Sequence, residues 1–150
     1  MRKKISIIIP CFNEQEVITK TYETLLATDL GDYDIEYIFV DDGSKDDTVE
    51  ILRGFAAENK AVKLVLFMRN FGHQCATSAG IAEATGDAAI IIDADLQDPP
   101  AVMIEMVHRW EEGYEIAYGK RIQRKGETLF KKVTAWGYYK FLSMIGGSYI

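Results

Sequence analysis

The sequence is poor in cysteine and histidine, and this scarcity excludes several kinds of site. Of its 150 residues, two are cysteines and two are histidines. Cys11 and Cys75 cannot build a disulfide framework and lack the spacing of metal ligands, so both are predicted to be small buried thiols. Neither histidine has a recognisable partner for a Ser/His/Asp triad. His108 is predicted to be structural, whereas His73 has two open interpretations, a helix cap and a residue that reaches a ligand site.

Long apolar runs and an excess of basic charge are also missing. No stretch approaches the ~20 apolar residues that a membrane span requires, and no secretory signal peptide is visible. We therefore expect this chain by itself to be soluble or peripheral, in a cytoplasmic setting. The net charge of −6 argues against nucleic acid as a partner, because phosphate binding needs a basic surface. The absence of a Walker loop and of Gly-x-Gly-x-x-Gly argues against P-loop and dinucleotide-binding proteins.

The remaining composition is that of an ordinary globular domain with one local exception. Hydrophobic residues make up 48% of the chain and charged residues 27%, and the length fits one domain. Residues 120–140, however, contain seven Lys or Arg and one acid, Glu127. This basic segment predicts a local anionic partner.

Two hydrophobic periods alternate along the chain. Short, nearly continuous apolar runs are typical of strands buried on both faces of a parallel sheet. They are Ile5–Ile9, Ile35–Val40, Val62–Phe67 and Ala88–Ile92. Helical stretches follow each of them, at Glu14–Ala27, Asp46–Asn59, His73–Ala84 and Pro99–Glu112. This order predicts an α/β fold, a three-layer α/β/α sandwich with a mostly parallel sheet and right-handed crossovers.

A polar cluster follows each of the four predicted strands. The clusters are Pro10–Glu14, Asp41–Ser44, Arg69-Asn70 and Asp93–Gln97. Open parallel sheets bind their ligands outside the carboxyl ends of the strands. We therefore expect the four clusters to converge on one rim of the sheet.

The cluster after the fourth strand has the chemistry of a metal site. Asp93 and Asp95 can direct two carboxylates at one point, and Gln97 can add a neutral oxygen or orient a water. Hard oxygen donors suit Mg²⁺ or Mn²⁺, which takes further ligands from the phosphates of a substrate. An Asp-x-Asp pattern alone is common in loops and caps; its position after the fourth strand favours the metal site.

The clusters after the first two strands offer groups for a nucleotide. Asp41 is the favoured acceptor for a nucleobase N–H or a ribose hydroxyl, and the neighbouring aspartate is predicted to be structural. Gly43 permits a tight turn, and a plain strand-to-helix turn is the competing interpretation. Phe12 is a candidate to flank a base, with Glu14 beside it.

Two of these assignments have alternatives that the sequence leaves open. Asn13 as an N-cap, with Glu14 as a first-turn acid, competes evenly with a ligand role for this segment. Arg69 either faces the nucleotide or is a solvated arginine at the end of a strand.

Five motifs follow one another along the chain: Ile-Ile-Pro-Cys-Phe-Asn-Glu (8–14), Val-Asp-Asp-Gly-Ser (40–44), Arg-Asn-Phe-Gly (69–72), Ala-Thr-Gly-Asp (84–87) and Asp-Ala-Asp-Leu-Gln-Asp-Pro-Pro (93–100). In this order they resemble the motifs of glycosyltransferase family 2, the inverting GT-A enzymes. The last motif is similar to the polyprenyl-phosphate branch, which includes dolichol-phosphate mannosyltransferases and bactoprenol glucosyltransferases. Residues 118–121 and 125–132 look like the continuation of that branch.

The resemblance implies roles for individual residues. A nucleotide pocket is implied for Pro10, Phe12, Glu14 and Asp41, with Arg69 as a further candidate and Asp93 reaching the same ligand. A metal and diphosphate site is implied for Asp93, Asp95 and Gln97. The acceptor phosphate is assigned to Arg121 and, less directly, to Arg124 and Lys132. The residues closest to the chemistry would then be Asp93, Asp95 and Arg121.

The activity implied is that of a metal-dependent inverting hexosyltransferase. It would move a hexose from a nucleotide-diphosphate sugar, UDP-hexose first and GDP-hexose next, to a polyprenyl phosphate. The acceptor phosphate is already anionic, so a dedicated general base is not required. One alternative is a family 2 transferase that extends a surface polysaccharide. The other is a non-catalytic module that binds a nucleotide and docks on a membrane, and a homo-oligomer is compatible with each.

The last thirty residues are treated as an extension of the same domain. Residues 1–120 are assigned to the nucleotide-sugar-binding domain and residues 121–150 to a basic amphipathic helical extension. Residues 128–145 place apolar positions among lysines, which fits a helix on an anionic membrane surface and also a helix packed on its own domain. Family members usually continue with an acceptor segment and transmembrane helices. The chain therefore resembles a truncated enzyme of the cytoplasmic membrane face, with full transfer in doubt for this piece.

Overall fold

The computed structural model of the chain describes residues 2–95, 99 and 101–119. The strands are β1 (Lys4–Cys11), β2 (Asp34–Asp41), β3 (Val62–Leu66) and β4 (Ala88–Ile91). The helices are α1 (Ile18–Ala27), α2 (Thr48–Glu58), α3 (His73–Glu83) and α4 (Ala101–Glu111). The predicted site residues Gln97, Arg121, Arg124 and Lys132 and the predicted helix at 128–145 lie outside the described residues.

The four strands form one parallel sheet in the order β3-β2-β1-β4. The chain therefore runs outward from β1 through β2 to β3 and then returns to place β4 on the other side of β1. Ile7 of β1 is paired with Tyr37 of β2 and with Ile90 of β4. The strand order therefore reverses between β1 and β4, although the two strands are parallel. Such a position is a topological switch point, where open parallel sheets leave a crevice for ligands.

The two faces of the sheet are covered by different helices. The side chains of a strand alternate between faces, so Ile5, Ile7 and Ile9 enter a large core with residues of α1, α2 and α4. Ile8 points to the opposite face, where it packs with Ala76 of α3. The predicted α/β/α sandwich is confirmed in this arrangement of three layers.

The helix α3 lies unusually close to the sheet because it carries a glycine at the contact. A Cβ atom at Gly80 would lie 2.3 Å from Cγ2 of Ile8 and 3.1 Å from Cγ2 of Val40. Ala76, one turn earlier, is fully buried. The Cys75 side chain is directed to solvent instead. The prediction of a buried thiol was therefore wrong for Cys75, although it holds for Cys11.

The predicted strands agree with the structure to within two residues at each end, and one helix start differs more. The helix α1 begins at Ile18 rather than at Glu14. The carbonyl of Glu14 accepts hydrogen bonds from the N–H groups of Val17 and Ile18, so residues 14–17 form a turn before the helix. In the described part of the chain, no helix is long and apolar enough to cross a membrane.

A buried carboxylate ties the amino ends of three strands together. Glu36 of β2 is 2% exposed. It accepts hydrogen bonds from the Ser6 hydroxyl (2.6 Å) and the Thr85 N–H (2.7 Å). Lys4 and Lys63 form ion pairs with it at 2.7 and 2.9 Å. Burial alone would raise the pKa of Glu36, but these hydrogen bonds outweigh burial and hold its pKa well below the usual carboxyl range.

Candidate functional site

A cavity of about 400 Å³ opens at the carboxyl ends of the strands, where β1 and β4 lie side by side. Its lining comes from the loops after β1, β2, β3 and β4 and from the start of α3. The lining residues are Pro10, Cys11, Phe12, Glu14, Asp42, Asn70, Gly72, His73, Ala76, Asp93, Ala94 and Asp95. The volume lies in the range of ligand-binding pockets, and the position matches the switch point of the sheet.

Five of the residues predicted from sequence are brought together in this cavity: Pro10, Phe12, Glu14, Asp93 and Asp95. They come from two loops that are separated by about eighty residues of sequence and joined by the pairing of β1 with β4. Two other predicted residues, Asp41 and Arg69, do not line the cavity.

The wall formed by Glu14, Asp93 and Asp95 is acidic. The pKa of Glu14 is raised, first by burial and then by the negative charges of Asp95, Asp46 and Asp93. Burial and the nearby negative charges both disfavour the charged form of Glu14. Carboxylate oxygens are the hard donors that Mg²⁺ or Mn²⁺ prefers, so these acids fit such a cation in charge and in donor type.

The described residues do not by themselves complete a metal centre. No group of three or more His, Cys, Asp or Glu side chains in that part of the chain has the arrangement of a metal site. Mg²⁺ usually takes only one or two carboxylates from a protein and fills its shell with waters and substrate phosphates, so a cation here would need ligands beyond these acids.

His73 lies in the cavity lining close to Asp93. Its Nε2 atom is 3.8 Å from Oδ1 of Asp93, which is beyond hydrogen-bond distance. His73 is the first residue of α3, and Gly72 occupies the N-cap position without a capping side chain. The structure therefore favours the interpretation in which His73 reaches the ligand site over the one in which it caps the helix.

The two aspartates after β2 have different surroundings. Asp42 binds the loop after β3, because its two carboxylate oxygens accept the N–H groups of Phe71 (2.7 Å) and Gly72 (2.9 Å). The carboxylate therefore fixes the strip of chain that leads into α3. Its side chain also forms part of the cavity lining.

Asp41 has one oxygen that the described residues leave unsatisfied. Its Oδ2 accepts the N–H groups of Gly43 and Ser44, both at 3.0 Å. Its Oδ1 is buried and has no hydrogen-bond partner in the described part of the chain. A buried carboxylate oxygen without a donor is costly. Asp41 does not line the cavity, so its role as a nucleotide ligand stays a prediction.

Gly43 allows the loops after β2 and β3 to touch. Its φ angle is +73°, and a Cβ atom there would lie 2.4 Å from the carbonyl carbon of Arg69. The predicted tight turn at Gly43 is confirmed.

The Arg69 guanidinium lies 4.1 Å from the centre of the Phe71 ring, on the surface and outside the cavity lining. A nucleotide contact by Arg69 stays a prediction.

Asn13 is not the N-cap that one interpretation proposed. Its φ angle is +56°, and α1 begins five residues later with Val17 in the N-cap position. The physical reason is that Asn13 bonds to the loop after β2 instead. Its N–H donates to Ser44 Oγ, and its amide oxygen accepts the N–H of Lys45, both at 2.8 Å.

Sequence reasoning gave no ligand role to several cavity residues, although most lie in or beside a predicted cluster. Asn70 and Gly72 belong to the Arg-Asn-Phe-Gly segment and Cys11 lies between two predicted residues. The Cys11 thiol has a raised pKa, first because of burial and then because of Asp41 and other nearby acids, so it is neutral at physiological pH. Ala76 gave no signal, because only the packing of α3 brings it to the cavity.

The family model and the curated relatives that match this chain are all glycosyltransferases. The family described as Glycosyl transferase family 2 matches residues 6–147. The uncharacterized glycosyltransferase YkcC of Bacillus subtilis is 50% identical over 92% of this chain and 43% of its own length. The prophage bactoprenol glucosyl transferase homolog of Escherichia coli is 40% identical over 95% of this chain and 47% of its own length. The chain thus spans less than half the length of these relatives.

A solved structure supports the fold. The mannosyltransferase PcManGT from Pyrobaculum calidifontis, determined with GDP-Man and Mn²⁺, superposes with a TM-score of 0.59 at 26% sequence identity. The match covers 71% of this chain and 32% of that one. The predicted GT-A fold is confirmed.

Proposed function

We propose that this chain, which belongs to glycosyl transferase family 2, is the donor-binding part of an enzyme that transfers a hexose from a nucleotide-diphosphate sugar to a polyprenyl phosphate. The observation that carries the proposal is the acidic wall of the cavity. Glu14, Asp93 and Asp95 line one ligand space at the switch point of a parallel sheet, and the charges of Asp95 and Asp93 add to burial in raising the pKa of Glu14, an effect that a cation would offset. A nucleotide diphosphate with a divalent cation meets both requirements.

The nucleoside is assigned to the side of the cavity formed by the loops after β1 and β2. Pro10 and Phe12 present apolar surface to a base. The unsatisfied Oδ1 of Asp41 is buried and outside the cavity lining, so an N–H or a hydroxyl group of the nucleoside would reach it only after a local rearrangement. Arg69 would have to turn from the ring of Phe71 to join them. UDP is the first candidate and GDP the second; the polyprenyl-phosphate branch that the motifs resemble includes bacterial enzymes, which favours UDP.

The diphosphate is assigned to the acidic wall. Asp93 and Asp95, with Gln97 as a neutral third group, would hold Mg²⁺ or Mn²⁺ together with the phosphate oxygens. The cation supplies neutralisation of the charge that builds up on the departing nucleotide diphosphate. These side chains would keep the cation at a fixed point, and the buried Ala76 and Ala94 give the cavity an apolar part of its lining.

The acceptor is assigned to the basic segment. Arg121, with Arg124 and Lys132, would bind the phosphate of a polyprenyl phosphate, because a guanidinium can donate two hydrogen bonds to phosphate oxygens. An oxygen of that phosphate then attacks the anomeric carbon from the side opposite the nucleotide, which inverts the configuration. The relative named as a bactoprenol glucosyl transferase homolog supports this class of acceptor. Residues 128–145 would lie on the cytoplasmic face of the membrane.

Calorimetric titration tests the donor half of the proposal on this chain. UDP, GDP and UDP-glucose are titrated with and without Mn²⁺ into the wild-type protein and into Asp95→Ala. We expect binding that depends on Mn²⁺ and that is lost in Asp95→Ala. The matched control is Asp32→Asn, an exposed acid whose substitution should leave binding unchanged. The proposal fails if no nucleotide binds, or if Asp95→Ala leaves the dependence on Mn²⁺ intact.

Liposome co-sedimentation tests the membrane half. The wild-type chain and the double variant Lys131→Glu plus Lys132→Glu are mixed with vesicles rich in anionic phosphatidylglycerol. We expect the wild type to bind and the double variant to bind at least several-fold less, since each basic residue near the surface contributes about 1 kcal/mol. Equal binding by the two proteins would contradict the assignment of the 128–145 segment.

A further inference from the structure

The loops after β1 and β2 are joined by a set of reciprocal hydrogen bonds, which we call the loop clasp (residues 13–15 with residues 44–48). Three N–H groups of the first loop donate to side chains of the second, and two side chains of the first loop accept from the second. The donor–acceptor pairs are Asn13 N to Ser44 Oγ (2.8 Å), Glu14 N to Thr48 Oγ1 (2.8 Å), Gln15 N to Asp46 Oδ2 (3.2 Å), Lys45 N to Asn13 Oδ1 (2.8 Å) and Asp47 N to Gln15 Oε1 (3.0 Å).

Asn13 begins the clasp in a backbone conformation that side chains disfavour. Its φ of +56° is the only positive φ of a residue other than glycine in the described part of the chain. Such a residue persists only where its surroundings hold it, and it is often found at functional sites. Here both of its neighbours in sequence, Phe12 and Glu14, line the cavity.

We propose that Asn13 is a positioning residue for the donor site, acting through Phe12 and Glu14; the inference rests on the proposed function. The left-handed turn at Asn13 reverses the chain so that the residues on either side of it both face the cavity. Ser44 and Lys45 fix that turn from both the amide and the side chain of Asn13. The clasp thus sets the position of a base-flanking ring and of one acid of the acidic wall.

The clasp holds a stretch of chain that belongs to no helix or strand, so its loss should affect this stretch more than the rest of the fold. The helix α1 begins only at Ile18, and residues 12–16 belong to no helix or strand. Asn13 and its partner Lys45 are at the surface, where water replaces a lost hydrogen bond at small cost. Loss of the Asn13 side chain should therefore change the position of the loop more than the stability of the fold.

Three substitutions of Asn13 separate these effects. Asn13→Gly keeps the positive φ accessible but removes the amide oxygen, and Asn13→Asp keeps an acceptor oxygen. Asn13→Ala removes the oxygen and also strains the turn. Because Asn13→Asp adds a negative charge near the acidic wall, the pair Ser44→Ala and Ser44→Thr tests the same clasp without a change of charge.

Two readouts are measured for each variant: the affinity for UDP and GDP with Mn²⁺ by calorimetry, and hydrogen exchange of the Glu14 and Gln15 amides. We expect Asn13→Gly to weaken binding about tenfold, because small displacements of positioning groups have large effects on a site. Exchange of both amides should be faster, with the melting temperature within a few degrees of wild type. Asn13→Asp and Ser44→Thr should retain binding within about threefold; Ser44→Ala should resemble Asn13→Gly.

The outcomes distinguish failure of the inference from failure of the proposed function. If the wild type binds and Asn13→Gly binds as tightly, the positioning role of Asn13 is wrong. If the wild type binds no nucleotide, the proposed function is wrong, and the exchange data then decide on the clasp. Unchanged exchange of the two amides in Asn13→Gly overturns the clasp in either case, and faster exchange that Asn13→Asp restores supports it.

Discussion

The two ends of the parallel sheet each contain acidic residues, and the protein treats them in opposite ways. At the amino end, Glu36 is surrounded by two lysines and several hydrogen-bond donors, and its pKa is lowered. At the carboxyl end, Glu14 lies near Asp93 and Asp95, and its pKa is raised. Groups of the protein thus favour the charged form of Glu36, whereas burial and then the neighbouring acids disfavour the charged form of Glu14.

This difference separates an acid whose charged form the fold favours from one whose charged form it disfavours. A carboxylate whose charge is balanced by groups of the fold requires no ligand. Its removal should lower the free energy of unfolding. Acids that repel one another reduce stability and persist where an external cation or ligand compensates them. The two ends should therefore respond to substitution with opposite signs.

The largest effect is expected at the amino end. Glu36→Gln leaves Lys4 and Lys63 without their partner, and removal of one member of a buried ion pair typically costs about 3 kcal/mol. Both lysines are partly exposed, so we expect about 2–3 kcal/mol in urea unfolding at pH 7. The control is Glu23→Gln on the exposed face of α1, which should change stability by less than about 0.5 kcal/mol.

The pH dependence of this effect follows from the lowered pKa of Glu36. A lowered pKa in the folded state contributes stability above the unfolded carboxyl pKa of about 4.3, and this contribution is lost as the pH falls toward the folded value. The stability difference between wild type and Glu36→Gln should therefore be full at pH 7 and shrink progressively below about pH 4. A difference that is constant with pH would show that the charge of Glu36 is not what stabilises the sheet.

A smaller loss is expected from the hydroxyl that joins this network to β4. Ser6 donates to Glu36 and accepts the N–H of Gly86 at 2.9 Å, and it is fully buried. Ser6→Ala should therefore cost about 1–2 kcal/mol of unfolding free energy. Ser78→Ala on the exposed side of α3 serves as the control and should have little effect. If the two variants are equally stable, the hydrogen bonds of Ser6 contribute nothing net.

The smallest effect is expected at the carboxyl end and has the opposite sign. Glu14→Gln removes one of the mutually repelling charges, so the metal-free protein should be more stable by about 0.5 kcal/mol at pH 7 and low salt. Because the pKa of Glu14 is raised, the gain should disappear as the pH falls and Glu14 becomes protonated in both states. It should also diminish with added salt. A loss of stability at pH 7 would contradict the repulsion inferred for the acidic wall.

The sequence allowed the prediction of the fold and of the acidic wall because both depend on short-range patterns. Buried parallel strands appear in the sequence as continuous apolar runs. Their order along the chain predicts that Glu14, Asp93 and Asp95 lie on one rim of the sheet. The network around Glu36 escaped prediction, since Lys4, Lys63 and Thr85 are far from Glu36 in sequence and only the strand order brings them together. The clasp at Asn13 was missed for a related reason: an N-cap and a left-handed turn have the same local sequence, and the deciding partners, Ser44 and Lys45, lie on another loop.

Mn²⁺ binding followed by electron paramagnetic resonance tests the central claim most directly, because free Mn²⁺ gives a strong signal that is lost on binding. Titrations with UDP and with GDP compare the wild type, Asp95→Asn and Glu36→Gln. Our account predicts that the wild type and the folded fraction of Glu36→Gln take up Mn²⁺ with the nucleotide. Asp95→Asn should bind it at least about tenfold more weakly, as expected for the loss of a charged ligand. Equal uptake of Mn²⁺ by Asp95→Asn and wild type, or no uptake by the wild type, would contradict the account.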